Sequence, residues 1–219
     1  EGLLKGQSFG NLFLAAMDGT SSSFEEAVKK MSDVLAVTGR VLPVTQDDVQ
    51  LCCELEDGYI ICGESKIGHH NETHPGRIKR VFLQPDKAEP LQEVIDASME
   101  ADIIVLGPGS LYTSVIPNLL VNGVADAVNK SDGIKVYVSN VMTQPGETDG
   151  YTVYDHVSAI EGHSCKGIVD YCIVNTADIP DNLREKYLQD GADTVRVDYD
   201  ALYKSGINVI GGDFISIKN

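Results

Sequence analysis

Three hydroxyls stand within five residues, at Ser110, Thr113 and Ser114, immediately after the glycines of Gly107-Pro108-Gly109. Glycine lets a backbone come close to a bound group, and hydroxyls beside the free N–H groups of a helix start suit an anion, which the helix dipole also favours. That combination is chemistry for holding a phosphate. The competing reading of the same residues is an ordinary strand-to-helix turn in which a Ser or Thr serves only as an N-cap.

A second cluster runs from Asn140 to Gly150, NVMTQPGETDG, where amides, hydroxyls and carboxylates gather ahead of a helix carrying His156. Such side chains can read a base, a ribose or a sugar by hydrogen bonding, and the plain alternative is a long polar loop. Glu147 and Asp149 are candidates for a general base or for Mg2+ ligands, against the commoner use of such carboxylates as solvated or helix-capping groups. His156 reads as structural. No Ser, Cys or His has triad partners at motif spacing, so no catalytic residue is assigned and binding is better supported than catalysis. His69, His70 and His74 in GHHNETHPGR offer a metal reading, but the polar, turn-rich context favours a solvated loop, and no metal site is assigned.

Both clusters need elements that carry them. Ile103, Ile104, Val105 and Leu106 read as a buried apolar strand leading into the first turn. After it, Ile116, Leu119, Leu120, Val124, Ala127 and Val128 fall at the spacing of one amphipathic helix with Pro117 in its first turn. From Pro90 the chain alternates: helix Leu91 to Glu100, the Asp102 strand, strand Ile134 to Ser139, helix Thr152 to Ile160, strand Tyr171 to Val174, helix Asp181 to Leu188, strand Thr194 to Val197. Alternation of this kind predicts a parallel sheet with helices on both faces, where ligands collect at the carboxyl ends of the strands, and both clusters lie at such ends.

The first half reads differently. LFLAAM predicts a buried helix, followed by a Ser21 to Ser23 turn and a second helix from Phe24. Strands are then expected at Val34 to Val37, Val41 to Thr45, Val49 to Leu55 and Tyr59 to Gly63, the last two joined across Glu56-Asp57-Gly58, and at Arg77 to Leu83. The expected organisation is one α/β domain over 1–219, with an antiparallel β-rich insertion at 34–84 and an alternating core at 90–219.

Thirty-three acidic against 17 basic residues give a formal charge of -16, which argues against nucleic acid or an anionic membrane surface as partner. No apolar run reaches the length of a membrane span and no signal-peptide pattern opens the chain, so a cytoplasmic protein is expected. Five cysteines, Cys52, Cys53, Cys62, Cys165 and Cys172, lie in apolar strand-like contexts and suit small buried residues rather than a disulfide framework.

The motifs GQSFGNLFLAAM, VLAVTGRVLPVT, GESKIG, ADIIVLGPGSLYTSVIPNLLV, NVMTQPGETDGYTVYDH and GGDFI resemble those of the YvcK-type gluconeogenesis factors, in the superfamily of 2-phospho-L-lactate transferase. The resemblance spans nearly the whole chain and implies a Rossmann-like core. It also implies a bacterial protein that binds UDP-sugars, notably UDP-N-acetylglucosamine, and links carbon supply to cell-wall precursor synthesis and cell shape. The transferase branch works with Mg2+ on a guanylylated donor, and its GPSNP-like turn differs from Gly107-Pro108-Gly109-Ser110-Leu111 here, which favours the regulatory branch. A Mg2+-dependent transfer of a phosphorylated group is kept as the alternative. Gln7 replaces the His of the family's GHSFGN, the family's opening strand with its GGGTG loop and VADDGGS segment are not matched, and relatives usually continue past Lys218-Asn219. On this resemblance the chain is expected to be a fragment lacking the first βα units and the tail.

On these grounds the expected ligand-binding set is Gly107, Gly109, Ser110, Thr113 and Ser114 around a diphosphate. Asn11, Asn140, Thr143 and Gln144 are expected on the nucleotide or sugar, and Tyr112 and Tyr187 as candidates to stack on uracil, although such rings are more often packing residues. Arg40 is a candidate charge. An enzyme of cell-wall precursor synthesis and a second copy of the chain are the expected protein partners.

Overall fold

The computed structural model describes residues 8–36 and 38–215; Gln7, Val37 and Lys218-Asn219 lie outside the described residues. Two helices come first, α1 (Phe9–Asp18) and α2 (Phe24–Val34), packed on each other. Ser23 caps α2 by accepting from the Glu26 N–H, and Glu26 reaches back to the Ser22 N–H at 2.7 Å. That start and the apolar stripe carry the helix through Val34, so the strand expected over Val34 to Val37 does not form in its described residues, Val34 to Ala36. Val41 to Thr45 forms no strand either, only a bridge from Thr45 to Pro90. No residue of α1 is buried, and Phe9 is 79% exposed, which corrects the buried helix expected for LFLAAM.

The antiparallel sheet consists of β1 (Gln50–Leu55), β2 (Ile60–Cys62) and β3 (Ile78–Gln84), in the order β2-β1-β3. Its hairpin turns where the sequence predicts: Gly58 takes φ +87° and the Asp57 carboxylate accepts the Tyr59 N–H at 2.9 Å. Register places Cys52 opposite Cys62 with Cα atoms 4.0 Å apart, and the two form a disulfide. This corrects the expectation of unpaired cysteines: the pairing depends on cross-strand register, which cysteine spacing alone does not reveal. Cys53 and Cys172 are buried free thiols. Between β2 and β3 come the short helix α3 (Glu64–Ile67) and a 3-10 turn at His70–Glu72.

The second half is the alternating unit. α4 (Gln92–Glu100) leads to β4 (Ile103–Leu106); a π turn (Leu111–Val115), α5 (Ile116–Leu119) and α6 (Val124–Lys130) lead to β5 (Ile134–Val138). Then α7 (Val153–His163) leads to β6 (Tyr171–Asn175), and α8 (Asp181–Gln189) and α9 (Tyr199–Lys204) to β7 (Asn208–Gly212). All four strands are parallel in the order β4-β5-β6-β7. Thr194 to Val197 is not among them: Thr194 and Arg196 make isolated bridges, and the fourth strand is NVIGG, whose two glycines weaken its strand signal. The single helix expected after the Gly-rich turn is broken at Gly123, which takes φ +75°, although Ile116, Leu119, Val124, Ala127 and Val128 are all buried as its spacing predicts.

Leu106, Tyr137, Cys172 and Val174 share one face of this sheet and are buried. They join one hydrophobic cluster with Ile116, Val157, Ile160 and Leu202 from the helices and Cys53, Leu55, Val81 and Leu83 from the antiparallel sheet. On the opposite face Ile103, Val105, Ile134 and Ile210 are each about half exposed, so β4 is not the buried strand its composition suggests. The amino ends are tied by backbone. Ile134 N–H donates to Asp102 O, Asn208 N–H donates to Asp170 O, and the Asp170 carboxylate accepts from Lys135 N–H at 2.8 Å. Gly133 passes so close to Ala101 that a Cβ there would meet its carbonyl oxygen at 2.1 Å. No described helix is long and apolar enough to cross a membrane.

Candidate functional site at the strand carboxyl ends

β4 ends in the Gly107-Pro108-Gly109 turn, with Gly107 at φ +83° and a cis peptide before Pro108. A Cβ at Gly107 would lie 3.1 Å from the Val138 carbonyl oxygen, so the turn is pressed onto the end of β5 in a way only glycine accommodates. Ser110 stands at the helical start but makes no capping hydrogen bond there. Its hydroxyl donates instead to the Glu147 carboxylate at 2.5 Å, 37 residues on, and accepts from the Thr113 hydroxyl at 2.7 Å. The plain N-cap reading of Ser110 is thereby set aside.

Glu147 is the hub. It is 3% exposed, the one buried acidic side chain among the described residues, and its other oxygen accepts from Gln144 Nε2 at 2.8 Å. Burial pushes its carboxyl above the usual carboxylate range, opposed by hydrogen bonds from Ser110 and the Tyr112 N–H and by the neighbouring Thr113 hydroxyl dipole, and reinforced by the charge of Glu64. From sequence Glu147 stands between a general base or Mg2+ ligand and a solvated or helix-capping carboxylate; its burial comes from the loop after β5 folding over the turn after β4. Asp149, by contrast, is exposed and accepts the Gly146 N–H at 2.7 Å across the turn, capping no helix.

The remaining candidates divide. Asn140 Nδ2 donates to Gly109 O at 3.1 Å, a second tie between the two loops. Thr143 is buried and clamps Asp193, accepting its N–H at 2.9 Å, so its hydroxyl supports the loop from behind. Ser114 is exposed, with Asn118 donating to its carbonyl. Tyr112 is 2% exposed, its hydroxyl paired with Tyr151 and its ring edge-on to His163, so it packs the core and is not free to stack on a base. Tyr187 lies half-exposed on α8, and no hydrogen bond among the described residues ties its ring to the loops. Asn11 is exposed on α1, its N–H bonded to Ser8, and Arg40 is exposed beside α2; neither is brought to the two loops.

Two clefts flank the turn and share Pro108. One of about 330 Å³ lies along Val105–Pro108, Ser114 and Asn118, and one of about 490 Å³ along Val138–Val141, Ile173, Asn175 and Phe214. A larger concavity of about 610 Å³ follows the hairpin past Tyr59, Cys62, Lys66 and His69, but no buried polar side chain lines it. Beneath the turn the Tyr137 ring packs near Gly107, and its hydroxyl, with His156 Nε2, is buried without a hydrogen-bond partner among the described residues. Nothing in the sequence signalled Tyr137, since a Tyr inside an apolar strand reads as core. His70, expected in a solvated loop, is 1% exposed, its ring nitrogens facing the carbonyls of Ile67 and Gly76 at 2.7 and 2.8 Å. No three His, Cys, Asp or Glu side chains among the described residues converge on one point, and Glu147 is engaged by Ser110 and Gln144, so the donors at this edge do not form a cage for Mg2+.

The family model described as 2-phospho-L-lactate transferase CofD matches residues 1–215. The gluconeogenesis factor of Bacillus subtilis is 47% identical over 216 residues, 99% of this chain and 67% of its own length. A Clostridium acetobutylicum relative is 50% identical over all 219 residues, and the chain spans 49% of its length. The crystal structure of a Bacillus halodurans protein superposes with a TM-score of 0.92 at 45% identity, covering 99% of this chain and 68% of that one. Matched over residues 1–215 by the family model and close to half identical to the Bacillus subtilis factor, the chain belongs to the 2-phospho-L-lactate transferase CofD family, in its gluconeogenesis-factor branch.

Proposed function

We propose that this strand-end site holds a nucleotide sugar of the UDP-N-acetylglucosamine type and that the protein is a regulator, signalling the state of gluconeogenic carbon supply to cell-wall precursor synthesis and cell shape. The observation that carries the reading is the locking of two polar loops at neighbouring strand ends by Ser110–Glu147 and Asn140–Gly109, between clefts that meet at Pro108. In this reading a diphosphate lies against the turn, with the Gly109 N–H and the Ser114 hydroxyl as donors, and Asn140 and Gln144 meet the base or sugar along the neighbouring strand end. The relatives' name supports the regulatory role. The natural setting proposed is the cytoplasm, with an enzyme of cell-wall precursor synthesis as partner and self-association as a homo-oligomer.

Calorimetric titration of the full-length protein with UDP-N-acetylglucosamine, UDP-glucose and GDP tests it. Saturable binding of the UDP-sugars over GDP is expected, with nucleotide release in the presence of Mg2+ staying under about 0.1 per second, below the ordinary enzyme range. Preference for GDP with steady turnover would instead establish the transferase reading.

A further inference from the structure

Two of the three hydroxyls that mark the turn, those of Ser110 and Thr113, point their protons inward. Thr113 donates to Ser110 at 2.7 Å and Ser110 donates to Glu147 at 2.5 Å, so with an ionised carboxylate at the end of the chain neither proton is available to a ligand. An ionised Glu147 also sets a negative charge directly behind the place where an anion would sit. Both obstacles vanish together if Glu147 carries a proton. A carboxylic acid donates to Ser110 Oγ, which then accepts from both Glu147 and Thr113 and turns its own proton toward the open side of the turn.

We infer that an anion is held at this turn only with Glu147 protonated, so that binding one anion takes up one proton from solvent, bonded at a Glu147 carboxyl oxygen. The inference rests on the reading of the turn as an anion site. Glu147 is placed for this role by its surroundings. Glu64 of α3 adds like charge, and Cys53 of β1 and Tyr112 of the π turn face it as neutral groups, both raised further by burial. His70 approaches the same loop at Gly146, with both ring nitrogens on backbone carbonyls. No Lys or Arg among the described residues forms an ion pair with Glu147. Glu147 thus acts as a positioning residue: it sets the direction in which Ser110 donates.

The test is calorimetry of the full-length protein with UDP-N-acetylglucosamine, whose diphosphate does not titrate over the range from about pH 6 to about pH 8.5, in paired buffers of different ionisation enthalpy. Above the pKa of Glu147 in the free protein, affinity is expected to fall about tenfold per pH unit, with buffer-dependent heats reporting uptake approaching one proton per ligand. In Glu147→Gln the amide nitrogen donates permanently to Ser110, and binding becomes independent of pH at the strength of the wild type at low pH. Measurable wild-type binding with a flat pH profile and buffer-independent heats would overturn the coupling while leaving the anion site standing. No binding at any pH removes the site reading itself, and the coupling with it. The wild-type series decides even if the variant does not fold.

Discussion

His163 joins α7 to the antiparallel sheet through a hydrogen bond that exists in only one protonation state, and its replacement gives a calculable loss. At the end of α7 its Nδ1–H donates to Ala159 O at 2.6 Å, which leaves Nε2 as an acceptor for the Val81 N–H on β3 at 2.9 Å. Val81 is 2% exposed, so His163→Leu strands a buried N–H, at about 1 to 3 kcal/mol. The edge-on contact of the ring with Tyr112 adds about 0.5 to 1.5 kcal/mol, while leucine keeps most of the packing volume. A loss of about 2 to 4 kcal/mol is expected in urea denaturation at about pH 8. Burial, with the charge of Arg80 behind it, holds His163 below its ordinary value of 6.5. A depressed folded-state pKa means the stabilisation is complete above the unfolded value and drains away as pH falls from there through the folded one. The gap between wild type and variant must therefore shrink on acidification. A difference under about 0.5 kcal/mol at pH 8, or one that does not narrow with falling pH, would refute the staple.

Three further outcomes are expected. Ser110→Ala with Thr113→Ala should weaken UDP-sugar binding by about 1 to 3 kcal/mol in calorimetry, through lost donors and the freed Glu147 charge; unchanged affinity with a lowered melting temperature would make both hydroxyls purely architectural. Gly107→Ala forces an alanine into positive φ against the Val138 carbonyl, and should cost about 1 to 2 kcal/mol of stability along with most ligand affinity, read by thermal melts with and without UDP-N-acetylglucosamine. Gly133→Ala meets backbone, not a movable side chain, and should cost more than about 2 kcal/mol in denaturant titration without altering the affinity of the folded fraction.

What the chain discloses before folding is local. The Glu56-Asp57-Gly58 hairpin and the helices expected from Leu91, Thr152 and Asp181 carry their signals in adjacent residues, and the structure keeps them as the β1–β2 turn, α4, α7 and α8. Both polar clusters were visible for the same reason, as runs of glycine, hydroxyl and amide after apolar strands. What escaped depends on distant partners. Cys52 needed a register to find Cys62, β7 was obscured by its own glycines, and His70 and Glu147 sit in polar stretches whose burial is decided by what folds over them. Tyr112 illustrates the reverse, a ring beside a promising turn that tertiary packing turns inward.

The two rims of the parallel sheet are built from different materials. At the amino ends the strands are laced by main-chain groups, Asp102 to Ile134 and Asp170 to Asn208, with Gly133 wedged against Ala101, and none of those main-chain bonds depends on which side chain is present. At the carboxyl ends the loops are joined by Ser110, Asn140, Gln144, Thr143 and Glu147, and every one of those bonds is a matter of side-chain identity. Away from Gly133 and Asp170, substitution is therefore cheap at one rim and decisive at the other, so descendants of such a chain can exchange one ligand for another, or binding for turnover, by rewriting a handful of loop positions while inheriting the sheet intact.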